Sequence, residues 1–495
     1  MNVFLLSRDH NFDWKKNLPY NEQELLRDLD LDVLLKVMSA GDSHIYSAAK
    51  AVILCGETDT ATIRYRQEVL KDCISMCPQV RDLYHIVVKT IETVKKDFWL
   101  TGNRPLIQLS TSTSIMRILF NALRDLRHIA DFYSRQFKSE GFGSLLTMLR
   151  TEFSDEYIRN VENHLDELEF NNGVLATARL GMGNIGVDYR LHKRREGRRD
   201  VKRILSGKRD QYVFTIDPRD YNSSQSLSAL RDKVIGNATL MLSESVSQVL
   251  GFFNDFRGEL GFYIGCLNLH DQLNRNGLQF CMPLPYELNS NIFSFTGLYD
   301  ISLALRLGGR IVANDLDARN RKLIIISGAN RGGKSTFLRS IGLAQLMMQC
   351  GMFVAAGSYE CEVSDGIFTH FKKEEDVEMK MGKLDEELKR FSDIVDHLNH
   401  GSMLLLNESF ASTDNMSGAE IAIQALGALM EYGIKILFVT HNNEAADRFY
   451  RKNPEDAEFL RAERKQDGSR TYRVIKGEPM KTSFAEDLYY SIFRR

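Results

Sequence analysis

The sequence predicts an α/β phosphate-loop domain in its C-terminal part, preceded by a long all-α region that carries a small β-containing insertion. Three observations predict this fold class. Residues 323–336 read LIIISGANRGGKST, an apolar β-branched run that breaks at a glycine and turns through a lysine into helix-forming residues. Residues 20–150 read as helices, with no strand alternation competing. Residues 280–495 alternate strand-like and helix-like segments, the pattern of a layered α/β domain.

Taken in chain order, Asn21-Glu-Gln-Glu-Leu-Leu opens a first helix. Ser114 is placed as the cap of another, with Ile115, Ile118, Leu119, Ala122, Leu126 and Ile129 on one stripe. The segment Gly173–Arg190 reads as a glycine-turned hairpin and Gln211–Asp217 as a further strand. Between them, residues 190–209 hold Arg190, Lys193, Arg194, Arg195, Arg198, Arg199, Lys202, Arg203, Lys208 and Arg209 against Glu196 and Asp200. That is a net +8 in a chain whose total is -2. Such a tract suits contact with a phosphate backbone, salt-dependent and blind to sequence; a solvated loop is the open alternative. Next, Leu242, Val246, Val249, Phe253, Phe256, Leu260, Tyr263 and Leu267 alternate steps of four and three, the seam of a long helix of roughly 40 Å. Gly251, Gly258, Gly261 and Gly265 weaken that helix, each costing about 1 kcal/mol against alanine at an exposed position.

The phosphate loop is the most informative motif. Gly328, Gly333, Lys334 and Ser335 fill the G-x-x-x-x-G-K-[ST] pattern. Glycines let backbone N–H groups close around a β-phosphate, the lysine reaches the β- and γ-oxygens, and the hydroxyl faces Mg²⁺. The expected loop runs through Gly328, Ala329, Asn330, Arg331, Gly332, Gly333, Lys334, Ser335 and Thr336. Leu323–Ile326 supply the strand before it, and Phe337, Leu338, Ile341, Ala344, Leu346 and Met348 a helix after it, closed at Gly351. A second apolar strand, Met403–Leu406, ends in Asn407 and Glu408, where a Mg²⁺ ligand and a water-polarising base belong. A third, Ile436–Thr440, ends in His441, placed to sense a γ-phosphate. Thr471–Gly477 and the residues from Thr482 read as a strand, turn and closing helix.

Composition bounds the rest. Hydrophobic residues are 43% and charged residues 26% of 495, ordinary for a folded chain that exceeds one core. No apolar run approaches a membrane span and no secretory signal opens the chain, so an intracellular, cytoplasmic protein without membrane contact is expected. Seven scattered cysteines argue for buried thiols rather than disulfides.

In this order and spacing, Asn314-Asp-Leu, GANRGGKST, Gly351-Met-Phe-Val-Ala-Ala, Asp365-Gly-Ile-Phe-Thr, LLLNESFASTD and Thr440-His441 resemble the MutS family of DNA mismatch repair ATPases. Ile63-Arg-Tyr-Arg-Gln-Glu-Val is similar to the family's helical core segment. The resemblance implies a P-loop NTPase of the ABC-like type, a helical core, lever helices ending in a DNA-embracing clamp, and a composite dimeric ATPase. Projected onto this chain, the domains are 1–150 (core), 151–235 (clamp-like insertion with the basic tract), 236–285 (returning lever helix) and 286–495 (ATPase with a C-terminal dimer-contact helix).

Three departures qualify the resemblance. The family's mismatch-reading domain is expected to be missing, since helical core begins near residue 20 and the one Phe-x-Glu sequence, Phe484–Glu486, follows the ATPase. Asn407 stands where the family has its Walker B aspartate, which predicts weaker Mg²⁺ binding and slower turnover. In Met381-Gly-Lys-Leu-Asp-Glu-Glu-Leu, Gly382 stands at the serine position of the trans-acting signature loop. The expected function is an ATP- and Mg²⁺-dependent DNA-binding ATPase with catalytic Lys334, Glu408 and His441 and metal ligands Ser335 and Asn407. Its expected partners are double-stranded DNA through its backbone, a second copy of the chain and downstream repair proteins. The alternative is a nucleotide-dependent scaffold with little hydrolysis, acting on proteins or branched DNA.

Overall fold

The computed structural model describes all residues except 99–103, 172, 194–213, 218, 329–330, 373–381, 453–456, 466–469 and 480–495. The chain forms two compact units. One comprises Met1–Val3, Arg81–Gln136 and Gly143–Arg257, and the other Phe4–Val80, Phe137–Phe142 and Gly258–Arg495.

The first unit is mainly helical. Its Pro105–Tyr133 helix starts with proline at its first turn, where a missing N–H costs nothing. Ser114 therefore lies inside this helix and caps nothing, because Pro105 had already started it nine residues upstream. The Asp155–Leu168 helix is capped by Ser154, whose Oγ accepts from Tyr157 N at 3.2 Å. Arg127 binds it to the longer helix, donating to Phe153 O at 3.0 Å and to Asp155 Oδ1 at 2.8 Å. Strands β1 (Leu175–Leu180) and β2 (Gly186–His192) pair antiparallel, from Leu175 opposite His192 to Leu180 opposite Gly186. Gly183 turns this hairpin at φ +69°. The further strand expected at Gln211–Asp217 does not form within the described residues: Phe214–Asp217 have no strand partner, and Phe214 is 88% exposed. Residues 211–213 lie outside the described set.

A single 55-residue helix, Tyr221–Arg275, passes from the first unit into the second. At 1.5 Å per residue it is about 80 Å long, twice the expected length. It ends at Arg275, before the expected limit, because Asn276-Gly277 turns the chain with Gly277 at φ +61°. Of the seam residues, Phe253, Phe256, Leu260, Tyr263 and Leu267 are buried, whereas Leu242 and Val249 are only partly covered. Gly258 has a packing reason: a Cβ there would stand 2.4 Å from Trp14 Cζ2.

The second unit holds two sheets. In the four-stranded sheet β3 (Leu284–Tyr286), β4 (Phe293–Leu298), β5 (Asn314–Asp317) and β7 (Ser358–Glu362) stand in the order β3-β7-β4-β5. The larger sheet contains β6 (Leu323–Ser327), β8 (Ile367–Phe371), β9 (Met403–Asn407), β10 (Lys435–Val439), β11 (Ala457–Arg464) and β12 (Arg470–Lys476), ordered β12-β11-β6-β10-β9-β8. Five of its strands run parallel and β12 closes the edge antiparallel to β11. Strands β6 and β10 are buried at every residue, which is why they read as unbroken apolar runs. The Lys334–Gln349 helix is also buried along nearly its whole length. It ends in a Schellman motif: Gly351 N donates to Met348 O and Met352 N to Met347 O, with Gly351 at φ +83°. None of the seven cysteines is joined in a disulfide; four are buried and Cys55, Cys77 and Cys281 half-buried. No described helix is long and apolar enough to cross a membrane.

Candidate active site

Three loops meet at the carboxyl ends of neighbouring parallel strands, where ligands bind in open α/β sheets. The phosphate loop follows β6, Glu408 follows β9, and His441 follows β10, which stands between the other two. A sequence separation of 113 residues between Gly328 and His441 is thus removed by adjacency in the sheet.

The loop's backbone requires its glycines. Gly328 has φ +113° and lies against β11, where a Cβ would approach Ala462 N to 3.1 Å. Gly333 has φ +89°, and a Cβ there would approach Tyr472 O to 3.1 Å. Arg331 also takes a positive φ, +59°. Helix 334–349 opens immediately afterwards, so its first-turn N–H groups add to the anion-seeking surface. Ala329 and Asn330 lie outside the described residues, while Arg331, Gly332, Gly333 and Thr336 line the cleft. Lys334 is 4% exposed and its Nζ donates to Gly328 O at 2.9 Å. Burial pushes its ammonium down to about 8, against the opposing pull of the Glu408 carboxylate.

Ser335 Oγ donates to Asn407 Oδ1 at 2.9 Å, bringing together the two expected metal-side oxygens. Two hard oxygen donors beside a phosphate loop fit Mg²⁺, which keeps much of its shell as water and phosphate. Asn407 supplies an oxygen without a charge. Glu408 has φ +57°, and its N donates to Val439 O at 2.9 Å. Its carboxylate meets His441 Nε2 at 2.6 Å. That hydrogen bond is the largest cause holding the Glu408 carboxyl below its ordinary range, helped by the charges of Lys372 and Lys334 and opposed by burial. His441 Nδ1 is buried and makes no hydrogen bond within the described residues.

The cleft has a volume of about 470 Å³ and an apolar side that the motifs did not reveal. Tyr299, Leu303, Leu307, Ile311 and Val312 line it, together with Tyr472 from β12. Tyr472 is 53% exposed with φ +60°. Read in sequence, these are ordinary apolar and aromatic positions. Only the fold brings Tyr472, 139 residues downstream, against Gly333.

The other expected site residues lie elsewhere. Gly382 precedes the Lys383–Val395 helix with φ −62°, so no left-handed backbone requires glycine there; Met381 is outside the described residues. Arg190 is exposed on β2, and Lys193 just beyond it pairs with Glu167 at 2.5 Å. Arg194, Arg195, Arg198, Arg199, Lys202 and Arg203, like Phe484 and Glu486 and the expected closing helix, lie outside the described residues.

Comparison with known proteins matches residues 58–276 to the MutS2 N-terminal domain and residues 324–485 to MutS domain V, a P-loop ATPase domain. The endonuclease MutS2 of Shouchella clausii is 31% identical over 179 residues, covering 34% of this chain and 22% of that protein. The endonuclease MutS2 of Thermus thermophilus is 33% identical over 126 residues, 26% of this chain and 17% of that protein. The DNA mismatch repair protein MutS of Prochlorococcus marinus is 23% identical over 480 residues, 94% of this chain and 49% of that protein. The chain thus matches between about a sixth and a half of the length of these three relatives. With the phosphate loop, the Ser335–Asn407 contact and the Glu408–His441 pair set in matching segments, the chain belongs to the MutS family.

Proposed function

We propose that this chain is an ATP-dependent DNA-binding ATPase of mismatch repair or related DNA maintenance, acting as a homodimer. The observation that carries this reading is the convergence of phosphate loop, Ser335–Asn407 and Glu408–His441 in one cleft. Gly328–Thr336 cradle the triphosphate and Lys334 reaches its β- and γ-oxygens. Tyr472 and the Tyr299–Val312 wall take the base. Ser335 and Asn407 hold Mg²⁺, which supplies charge neutralisation at the phosphates when bound. Glu408 orients the attacking water and accepts its proton, while His441 holds that carboxylate with Nε2 and reports the γ-phosphate. The residues 1–150 act as core, 236–285 as lever, and 151–235, with the Arg190–Arg203 tract, as a clamp on the DNA backbone.

Nucleotide state sets DNA grip only if ATP binds one arm arrangement better than the other. The test is DNA affinity across a salt series with ATP, ADP and no nucleotide, beside phosphate release. Wild type should show nucleotide-dependent affinity and a steep salt slope. Lys334→Ala should lose the nucleotide response, and Glu408→Gln should keep ATP binding while losing turnover by 100-fold or more, roughly the scale of a general base. Equal affinity and slope in all three nucleotide states would sink the coupling. Turnover retained in Glu408→Gln would sink the assigned base.

A further inference from the structure

The Glu408 turn is an improbable piece of backbone. Glu408 and Phe410, neither of them glycine, both adopt the left-handed region, with φ +57° and +65°. Such residues persist only where their surroundings over-determine them. At one end Glu408 N is fixed to Val439 O at 2.9 Å. In the middle, Ser409 Oγ donates to His370 O at 2.9 Å and lies 2.7 Å from His370 Nδ1. At the other end, Phe410 N donates to Glu387 Oε1 at 2.6 Å.

Glu387 is a costly residue to place there. It is 4% exposed, and its second oxygen, Oε2, is buried without a hydrogen-bond partner among the described residues. Burying a carboxylate with one oxygen unmatched is unfavourable, so neither packing nor general stability accounts for it. One turn further along the same helix, Phe391 packs its ring against Phe410 at 5.0 Å. The Lys383–Val395 helix therefore grips Phe410 by backbone and by ring.

We infer that Glu387 is the positioning residue that holds the Ser409–Phe410 turn, and through it sets the Glu408 carboxylate against His441. It is not among the residues that line the cleft. Together with Phe391 it ties the Phe410 turn to the Lys383–Val395 helix, so displacement of that helix is transmitted to the hydrolytic carboxylate. The inference rests on the reading of Glu408 as the group that activates water.

The test compares full-length Glu387→Gln, Glu387→Asp and Glu387→Leu. Glutamine keeps an acceptor at the same reach, aspartate draws it back by a methylene, and leucine keeps the bulk with no acceptor. ATP turnover should stay within about threefold of wild type in Glu387→Gln and fall at least tenfold in Glu387→Leu, with KM for ATP changed less than threefold in both. Hydrogen exchange at the Phe410 amide, read without nucleotide, should accelerate at least tenfold in Glu387→Leu and not in Glu387→Gln. If leucine does not fold, Glu387→Asp should show the same split in smaller measure with an unchanged melting temperature. Unchanged turnover and unchanged exchange in Glu387→Leu or Glu387→Asp would overturn the inference, as would a loss shared equally by glutamine. Should Glu408→Gln keep full turnover, the reading of Glu408 fails instead, and the exchange measurement still decides whether Glu387 holds the turn.

Discussion

Lys334 shows how far a single residue can be read. Its identity and its proposed role follow from G-x-x-x-x-G-K-[ST], a local pattern whose chemistry depends on backbone and side chain within eight positions. Its energetic cost does not. Buried and held to Gly328 O, the amine has its ordinary value of 10.5 lowered to about 8. A folded-state value below the unfolded one means the native chain gives up a proton between those limits, so apo stability rises with pH across that window. Below pH 8 the penalty is fully present. Lys334→Met should therefore stabilise the nucleotide-free protein at pH 7 by on the order of 1–3 kcal/mol while abolishing ATP binding. The gain should fade towards pH 10.5, as urea unfolding at several pH values would show; a destabilised variant at pH 7 would contradict it. Glu408 and His441 were equally legible as residues, each ending an apolar strand, but their 2.6 Å contact was not. Tyr472 was not legible at all, because its approach to Gly333 and the cleft comes across the sheet edge and not from any nearby motif.

At the scale of elements, periodicity located the strands better than it located the helix ends. Leu323–Ser327, Met403–Asn407 and Lys435–Val439 are buried strands with no polar alternation to confuse them. The long helix was shorter in expectation than in the structure, because its N-terminal turns carry too little apolar seam to announce themselves. Its glycines divide into two kinds. Around Gly251 nothing stands within 4 Å, so Gly251→Ala should raise stability by about 0.5–1 kcal/mol through helix propensity and reduced unfolded-state entropy. At Gly258 the new methyl would collide with Trp14, and Gly258→Ala should cost about 1–3 kcal/mol. Thermal melts that moved in the same direction for both would refute this division.

At the scale of the whole molecule, segments far apart in sequence complete one core. Glu259 is wholly buried in the long helix and receives Leu5 N at 2.7 Å and Leu6 N at 3.1 Å on Oε2 and Phe12 N at 3.0 Å on Oε1. Tyr263 donates to Leu5 O at 2.7 Å and the buried Arg66 to Leu6 O at 2.8 Å, so an N-terminal stretch without regular structure is held by side chains instead of a ladder. Glu259→Leu should leave those N–H groups unmatched and cost about 3–5 kcal/mol, measured as a lower urea midpoint at unchanged slope. A shift under 1 kcal/mol would mean that water or relaxation replaces the carboxylate. By itself the sequence determined the P-loop, the family and the three residues at the strand ends, since these depend on short-range pattern. Only the tertiary structure decided that residues 4–80 pack with residues 258–495, that Tyr472 reaches the cleft, and that Glu387 reaches Phe410. Those facts rest on strand order and on buried polar groups finding partners, neither of which leaves a periodic mark along the chain.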